Sequence, residues 1–389
     1  MNRIVLLVLD GMGVGAAPGA HGPAAESNTL SHVMRVADDV RLPTLAALGL
    51  GHIGAFPGVA PSTNPDGCFG KMAPVSAGTD SITGHWELAG IVVRTPFPTY
   101  PDGFPPDVIA LVEQAAGRAV IGNRAASGTA IIQELGDEHL KTGALIVYTS
   151  ADSVLQIAAH DAVVAIPELH RICRAVRKAL KPPHTIGRVI ARPFAGSPGA
   201  FVRVEGRRDF GVEPPAPTML DEVKRAGHPV VGIGKIEDLF AGRGLTRSVH
   251  AESQAAVFDQ LQRTLATMPR GLIAANFVEF DSHYGHRKDA IGFAAALQTF
   301  DRALPAVIDA LRPGDALIVT GDHGTDPTVP GTDHTREYVP LLAYGPRLGR
   351  GVSLGVRATF ADVGQTVVDA LGANMLSHGE SFLDALQPG

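Results

Sequence analysis

Continuous apolar runs alternate along the chain with segments that have helical periodicity. The first run, residues 4–9, is bounded by Asp10 and Gly11, as expected of a parallel strand that is buried on both faces. Similar runs recur at residues 228–234, 271–280 and 315–324. Helix-like segments lie among them, at residues 219–227, 255–268 and 293–312. Strand patterns that alternate with helix patterns predict an α/β fold with a mostly parallel sheet.

The region between about residue 97 and residue 215 has a different pattern. It begins and ends with the Pro/Gly-rich segments PFPTYPDGFPP and FGVEPPAPT, which are typical of domain linkers. Between them lie the strand-like ALIVYTS and GRVIARPF and the helix-like ELHRICRAVRKAL. We therefore predict a second α/β domain at residues 98–215, inserted into a core domain that is formed by residues 1–97 and 216–389.

Composition narrows the class of protein. A chain of 389 residues favours two domains, and 45% hydrophobic with 19% charged residues is typical of globular proteins. The formal net charge of -6 comes without a basic run, which argues against nucleic acid as the main partner. The first apolar run is too short to span a membrane and is not followed by a cleavage site. We expect a cytoplasmic protein with no membrane association and no obligate protein partner.

Polar residues follow the apolar runs where parallel strands should end. They are Asp10, Asp281, His286, Asp322, His323 and, in the loop beyond, His334. A single Asp at a strand end is usually a cap or turn residue, but here an Asp follows three separate strands. Three carboxylates and three imidazoles without a thiolate suit Mn, Mg, Zn or Fe and are enough for two ions. Other histidines, including His139, His170, His184 and His250, are interpreted as surface residues.

The segment SAGTDSITGHWELAG, residues 76–90, offers the hydroxyl groups of Thr79, Ser81 and Thr83. A hydroxyl is a weak nucleophile unless something ionises it, and two divalent ions can do so while they clamp the oxygens in phosphoryl transfer. The glycines after the first run also suggest a dinucleotide fingerprint. Their spacing and Pro18 argue against one, and the glycines are better explained by a tight turn beside Asp10.

In these residues and motifs, the sequence resembles the alkaline phosphatase superfamily and, within it, the phosphopentomutase family. That family has a similar order of features. They are an Asp after the first strand, a hydroxyl motif with GHWE, an inserted domain, D-x4-H, DHG and a final His. Long similar segments lie at residues 121–136, 148–160, 187–194 and 330–346. The chain departs from the family pattern with Ser81 in place of Thr, Thr79 in place of Lys, Gly11 in place of Ser and Thr325 in place of Asn.

The resemblance implies an alkaline-phosphatase-like core with two Mn²⁺ ions and an inserted α/β cap domain that closes over a sugar phosphate. One ion would be held by Asp10, Asp322 and His323, and the other by Asp281, His286 and His334. Ser81 would be both the metal-bound nucleophile and the phosphorylated residue. The residues implied to line the pentose phosphate site are Ser150, Asp152, Val154, Arg188, Ile190, Arg203 and Lys235.

The activity implied is the interconversion of ribose 1-phosphate, or the 2-deoxy sugar, with the 5-phosphate, a step of nucleoside metabolism. A sugar bisphosphate such as glucose 1,6-bisphosphate would prime the enzyme by phosphorylating Ser81. One alternative is a metal-dependent phosphatase or a mutase that acts on a different sugar phosphate. Another is a non-catalytic protein that binds a metal ion or a sugar phosphate.

Overall fold

The structure is a computed structural model that describes residues 1–37, 39–150 and 152–387. The chain forms two compact units. The core unit consists of Met1–Thr95 together with Pro214–Gly389, and the inserted unit consists of Pro96–Glu213.

Strands occur in both units. They are β1 (Arg3–Leu9), β2 (Cys68–Met72), β3 (Val120–Ala125), β4 (Leu145–Thr149), β5 (Val154–His160), β6 (Arg188–Ala195), β7 (Val202–Arg203), β8 (Arg208–Gly211), β9 (Val230–Ile233), β10 (Arg247–Val249), β11 (Gly271–Phe277), β12 (Asp315–Gly321), β13 (Val339–Tyr344) and β14 (Ser353–Arg357).

Helices lie between the strands. They are α1 (Thr29–Val36), α2 (Pro43–Ala47), α3 (Ser81–Leu88), α4 (Pro106–Ala116), α5 (Gly128–Thr142), α6 (Ile166–Ala179), α7 (Met219–Arg225), α8 (Ile236–Leu239), α9 (Gln254–Thr267), α10 (Ala290–Asp309) and α11 (Ala361–Ala370). Short 3-10 helices lie at Gly22–Glu26, Leu50–His52 and Asp384–Leu386, and a π-helical turn lies at Phe280–Gly285. Among the described residues, none of these helices combines the length and apolar content that crossing a bilayer needs.

The core unit is built on one sheet, whose strands follow the order β10-β9-β11-β1-β12-β13-β2-β14. The strands from β10 to β12 are all parallel, and β13 is antiparallel to both of its neighbours. This arrangement confirms the predicted α/β fold with a mostly parallel sheet. The extension through β13, β2 and β14, in which only β13 is antiparallel to its neighbours, was not predicted, because the apolar runs that were recognised all belong to the parallel part.

Helices cover the core sheet on both faces. Alternate residues of β1, Val5, Leu7 and Leu9, belong to a hydrophobic cluster that includes residues of α1, α9 and α10. The helix α11 contacts both α3 and α7, and α7 in turn contacts β9 and β11 of the sheet. Every residue of β1, β11 and β12 is buried, which explains why these strands are continuous apolar runs in the sequence.

The inserted unit has its own sheet, in the order β3-β4-β5-β6-β7, with β8 also paired to β6. On one face, α4 and α6 pack over a cluster that includes Leu145, Leu155 and Val189. On the other face, Ile131 and Ile132 of α5 pack over a smaller cluster. The unit therefore has two hydrophobic layers of its own.

One expectation about the inserted unit is wrong. His139 was interpreted as a surface residue, but its side chain is fully buried in the last turn of α5. Its Nδ1 lies 2.6 Å from the carbonyl oxygen of Ala144, and its Nε2 accepts a hydrogen bond of 2.8 Å from the backbone N–H of His160. Two backbone partners replace the hydration of the ring, so this His is a satisfied core residue.

A buried ion pair joins the amino-terminal ends of β1 and β12. Arg3 and Asp315 are opposite each other in the parallel register, and their side chains are almost completely buried. The Arg3 guanidinium hydrogen-bonds Asp315 and donates two further bonds of 2.6 Å to the carbonyl oxygens of Leu265 and Met268 at the end of α9. This cation therefore links two strands and a helix at the amino-terminal ends of β1 and β12.

We expect Arg3→Met to lower the free energy of unfolding by about 3–5 kcal/mol, because Asp315 would remain as a buried charge without its cation. Urea unfolding followed by circular dichroism measures this change. Arg41→Met is the control, since the Arg41–Asp39 ion pair is exposed and should contribute little. If Arg3→Met were as stable as Arg41→Met, the ion pair would not hold this edge of the sheet together.

Candidate functional site

Three adjacent strands of the core sheet end at the same edge and bring acidic residues together there. Asp10 directly follows β1, and Asp322 directly follows β12. Asp281 lies beyond the end of β11, in the π-helical turn. Since β11, β1 and β12 are parallel neighbours, their carboxyl ends form one edge, and the three Asp side chains are placed along it.

The structure groups the six candidate metal ligands into two sets of three. Asp10, Asp322 and His323 form the first set, and all three side chains are buried. Within each set, the candidate ligand atoms lie within 4.8 Å of one another. His323 Nε2 is 3.3 Å from Asp10 Oδ1 and 3.4 Å from Asp322 Oδ2.

The second set consists of Asp281, His286 and His334. The two oxygens of Asp281 lie 3.3 Å from His286 Nε2 and 3.4 Å from His334 Nε2, and the two Nε2 atoms are 3.1 Å apart. The ring of His334 also lies against that of His323 in the first set, with a centroid distance of 4.1 Å. The two sets are therefore neighbours, and each offers a mixed carboxylate and imidazole donor set that fits a divalent ion.

The charges of these groups depend on one another. Burial alone would raise the pKa of Asp10, but the hydrogen bond with His323 and neighbouring imidazoles lower it to about 2. Burial would also lower the pKa of His323, yet the carboxylates of Asp322, Asp10 and Asp281 raise it to about 10. The pKa of Asp281 likewise lies well below its usual value, despite burial, because His334 and His286 are close. Buried carboxylates at this edge thus require positive charge beside them.

Ser81, in the hydroxyl-rich segment, lies beside the first set of candidate ligands. It is the first residue of α3, and its Oγ lies 3.2 Å from both Asp10 Oδ1 and His323 Nε2. Asp80 is the N-cap of α3 and accepts hydrogen bonds from the backbone N–H and the hydroxyl of Thr83. Thr83 is therefore engaged in the helix cap, while Ser81 faces the acidic edge at a helix amino terminus.

Sequence reasoning missed two buried residues behind the first set. Asn276 Nδ2 donates a 3.0 Å hydrogen bond to Asp10 Oδ2 and lies 3.2 Å from His85 Nε2. His85 Nδ1 lies 3.0 Å from Asp322 Oδ2 and 2.9 Å from the carbonyl oxygen of Ser81. This chain of contacts orients both Asp side chains. The only sequence signal was the His of GHWE, because Asn276 lies inside an apolar run.

Thr325, also missed as a site residue, links the two sets. Its hydroxyl donates a 2.8 Å hydrogen bond to Asp281 Oδ1 and lies 3.3 Å from His323 Nδ1. Its backbone N–H bonds the carbonyl oxygen of Gly11, which turns after β1 with φ of 78°. The tight turn beside Asp10 that the glycines predicted is thus present, and it holds the loop that carries Thr325.

The residues expected to contact the sugar phosphate are divided between the units. In the inserted unit, Val154 and Arg188 are paired between β5 and β6, and Arg188 Nη2 is 3.2 Å from Asp152 Oδ2. Ser150, Ile190 and Arg203 belong to the same unit, Ser150 next to the end of β4, Ile190 on β6 and Arg203 on β7. Lys235 belongs to the core unit, where it follows β9 at the carboxyl edge of the sheet.

The chain is similar to known proteins over nearly its whole length. Residues 2–375 match the family described as the Metalloenzyme superfamily. The phosphopentomutase of Caldanaerobacter subterraneus subsp. tengcongensis is 51% identical over 387 residues, which cover 99% of this chain and 98% of that protein. The phosphopentomutase of Dictyoglomus turgidum is 50% identical over 390 residues, which cover 100% of this chain and 99% of that protein. Among solved structures, Leishmania mexicana phosphoglycerate mutase aligns at 14% identity and a TM-score of 0.49, over 98% of this chain and 97% of that one.

We expect Thr325→Val to weaken the binding of divalent cations about tenfold, because it removes the hydrogen bond that orients Asp281 while it keeps the side-chain volume. Titration of the metal-free protein with Mn²⁺ in a calorimeter measures this affinity. Thr325→Ser is the matched control, since it keeps the hydroxyl and should bind Mn²⁺ nearly as the native protein does. Equal affinities for the Val and Ser variants would contradict an orienting role.

Proposed function

The chain belongs to the phosphopentomutase family of the metalloenzyme superfamily, and on this premise we propose that it interconverts ribose 1-phosphate, or 2-deoxyribose 1-phosphate, with the corresponding 5-phosphate. The observation that carries the proposal is the position of Ser81. Its hydroxyl lies 3.2 Å from both Asp10 Oδ1 and His323 Nε2, at the amino end of α3 and beside two sets of candidate metal ligands.

In this proposal, Asp10, Asp322 and His323 hold one divalent ion and Asp281, His286 and His334 hold the second. The donor sets fit such ions because carboxylate and imidazole groups, with no thiolate among them, suit hard and borderline divalent cations. We propose Mn²⁺ as the ion in use. When bound, the ions would lower the pKa of the Ser81 hydroxyl and neutralise charge on the transferring phosphoryl group.

We propose that Ser81 carries the phosphoryl group between the two positions of the sugar. In the first transfer, the free sugar hydroxyl oxygen bonds to phosphorus as the bond from phosphorus to Ser81 Oγ breaks, which gives a sugar bisphosphate. In the second, Ser81 Oγ attacks the other phosphoryl group and its sugar oxygen leaves. One proton is released from the accepting hydroxyl and one is taken up by the oxygen that leaves, so the cycle balances. A sugar bisphosphate such as glucose 1,6-bisphosphate would load Ser81 at the start.

The residues of this chain have distinct tasks in that cycle. The amino end of α3 supplies N–H groups and a partial positive charge to a phosphoryl group on Ser81. Asn276 and His85 keep Asp10 and Asp322 oriented towards Ser81 through the contacts described above. We propose that the sugar phosphate is bound by Ser150, Asp152, Val154, Arg188, Ile190, Arg203 and Lys235. Guanidinium and ammonium groups are natural donors to phosphate oxygens.

We expect Ser81→Ala to abolish pentose phosphate isomerisation while Mn²⁺ binding stays measurable, because the six ligands remain. The assay is the conversion of ribose 1-phosphate to ribose 5-phosphate with Mn²⁺ and a sugar bisphosphate. Ser81→Thr is the matched control, since it keeps a hydroxyl group on Cβ and should keep turnover. Full activity in Ser81→Ala would contradict the assignment of the nucleophile.

The same assay separates a mutase from a phosphatase. A mutase forms ribose 5-phosphate with little release of inorganic phosphate, whereas a phosphatase releases inorganic phosphate in step with substrate loss. Mass spectrometry of the native protein after incubation with the bisphosphate should locate the phosphoryl group on Ser81. Phosphate release without isomer formation would overturn the proposed activity in favour of hydrolysis.

Metal removal should also change stability. Three buried carboxylates lie close together at the site, so cations that bind the folded chain and not the unfolded one stabilise it. We expect saturating Mn²⁺ to raise the free energy of unfolding by about 2.7 kcal/mol when its concentration is 100 times the dissociation constant. Thermal unfolding with Mn²⁺ and with a chelator measures this difference. The double variant Asp10→Asn/Asp281→Asn should lose this stabilisation by Mn²⁺. If Mn²⁺ stabilised the double variant as much as the native chain, the ions would bind outside the two ligand sets.

A further inference from the structure

A further buried carboxylate of the core unit lies behind the loops that carry the metal ligands. Glu337 follows the ligand His334 by three residues and precedes β13. Its side chain is fully buried, yet it belongs to neither of the two ligand sets. A buried charge is costly unless the chain surrounds it with partners, so the partners of this carboxylate indicate its role.

Four hydrogen bonds surround the Glu337 carboxylate. Oε2 accepts one from the backbone N–H of Gly15 at 3.0 Å and one from that of Thr29 at 2.9 Å. Oε1 accepts one from the hydroxyl of Thr29 and one from that of Thr335, both at 2.7 Å. Thr29 is the first residue of α1, where the helix dipole favours a negative charge. Both oxygens are therefore used as acceptors, which suits the ionised form.

These donors are neutral, and the adjacent Arg336 is directed elsewhere. Its guanidinium donates to the backbone carbonyl oxygens of Pro18, Pro74 and Ser76. Burial raises the pKa of Glu337, although its four hydrogen bonds act in the opposite direction. A buried charge of this kind is weak evidence for a role in stability, because an apolar side chain often fills such a position at less cost. We therefore looked for its role in the residues that it holds.

Thr29 connects Glu337 to a ligand of the second set. While the Thr29 hydroxyl donates to Glu337, it accepts a 3.1 Å hydrogen bond from the backbone N–H of Thr325. The Thr325 hydroxyl in turn donates to Asp281 Oδ1 at 2.8 Å. Thr29 and Thr325 are both almost completely buried, so water does not compete for these bonds. A continuous path through two threonines therefore joins Glu337 to Asp281.

Thr335 connects Glu337 to another ligand of the second set, since it directly follows His334. The backbone of Thr335 exchanges hydrogen bonds of 2.7 and 3.0 Å with that of Gly324. A Cβ atom on Gly324 would clash with Glu337 Oε1, so the carboxylate packs directly against this junction of two loops. The bond from Glu337 to the Thr335 hydroxyl thus fixes the loop that carries His334.

We infer that Glu337 is a positioning residue for the divalent ion of the second ligand set. Through two threonines it orients Asp281, and through Thr335 it orients His334. Groups that hold metal ligands in place typically change metal affinity about 10–100-fold when they are removed. The inference rests on the proposed function, because it takes the two-ion site of that proposal as its premise.

The first ligand set has separate partners. Asp10 accepts a hydrogen bond from Asn276, and Asp322 lies 3.0 Å from His85 Nδ1. These contacts are made on the side of the site that faces α3 and β11, and they do not involve the four groups that bond Glu337. Loss of the Glu337 carboxylate should therefore weaken the ion of the second set much more than the ion of the first.

The test measures Mn²⁺ affinity by calorimetric titration in two backgrounds, each of which leaves one set intact. Asp10→Asn impairs the first set, and Asp281→Asn impairs the second. Glu337→Gln should weaken Mn²⁺ binding about thirtyfold in the Asp10→Asn background and less than about threefold in the Asp281→Asn background. The amide keeps the volume of the carboxylate, but its nitrogen cannot accept a hydrogen bond.

The matched control is Glu380→Gln, which removes the same charge from a side chain of the core unit that is 88% exposed. This variant should bind Mn²⁺ as its parent does in both backgrounds. Thermal unfolding in the presence of a chelator shows whether each variant is folded without metal, so that a loss of affinity can be separated from a loss of structure.

A second pair of variants tests the same path and does not depend on the folding of Glu337→Gln. Thr29→Val removes the hydroxyl between Glu337 and Thr325 and should weaken Mn²⁺ binding about tenfold in the Asp10→Asn background. Thr29→Ser keeps the hydroxyl and should restore binding. Thr29→Val combined with Glu337→Gln should weaken binding little more than Glu337→Gln alone, because both changes break one path.

The outcomes distinguish the positioning role from the proposed activity. If the native chain isomerises pentose phosphates but Glu337→Gln binds Mn²⁺ as Glu380→Gln does, the positioning role is overturned and the activity stands. If the native chain isomerises no pentose phosphate, yet Glu337→Gln weakens Mn²⁺ binding only in the Asp10→Asn background, the activity fails and the positioning role stands. Equal weakening in both backgrounds would overturn the assignment to the second ion. Selective weakening together with native isomerisation supports both proposals.

Discussion

Burying three carboxylates at one edge of a sheet is the constraint on which the core unit depends. Asp10, Asp281 and Asp322 are nearly inaccessible to water, and like charges at such distances repel strongly unless cations or hydrogen-bond donors stand between them. The imidazoles of the two ligand sets supply part of that compensation. Asn276, His85, Thr325 and the backbone N–H of Gly11, which bonds Asp322 Oδ1 at 3.0 Å, supply the rest.

This constraint also explains the order of the strands. A central position for β1 between β11 and β12 places three acidic ends side by side, which no edge strand could do. At the other end of the same strands, Arg3 pairs with Asp315, so β1 and β12 are held at both ends by polar contacts. The apolar residues between them only need to pack. The register of these strands thus serves the site as well as the core.

The sequence predicted the parts of the site that follow from a general rule of parallel sheets. The acidic residues at the ends of apolar runs could be identified because parallel strands that neighbour one another end at one edge. Asn276 could not, because it lies inside the run that forms β11, and its role depends on β1 lying next to it. Thr325 was noticed only as a departure from a family pattern, and its contact with Asp281 depends on the loop after β12. His139 was misjudged because a His in an amphipathic helix gives no sign of its backbone partners.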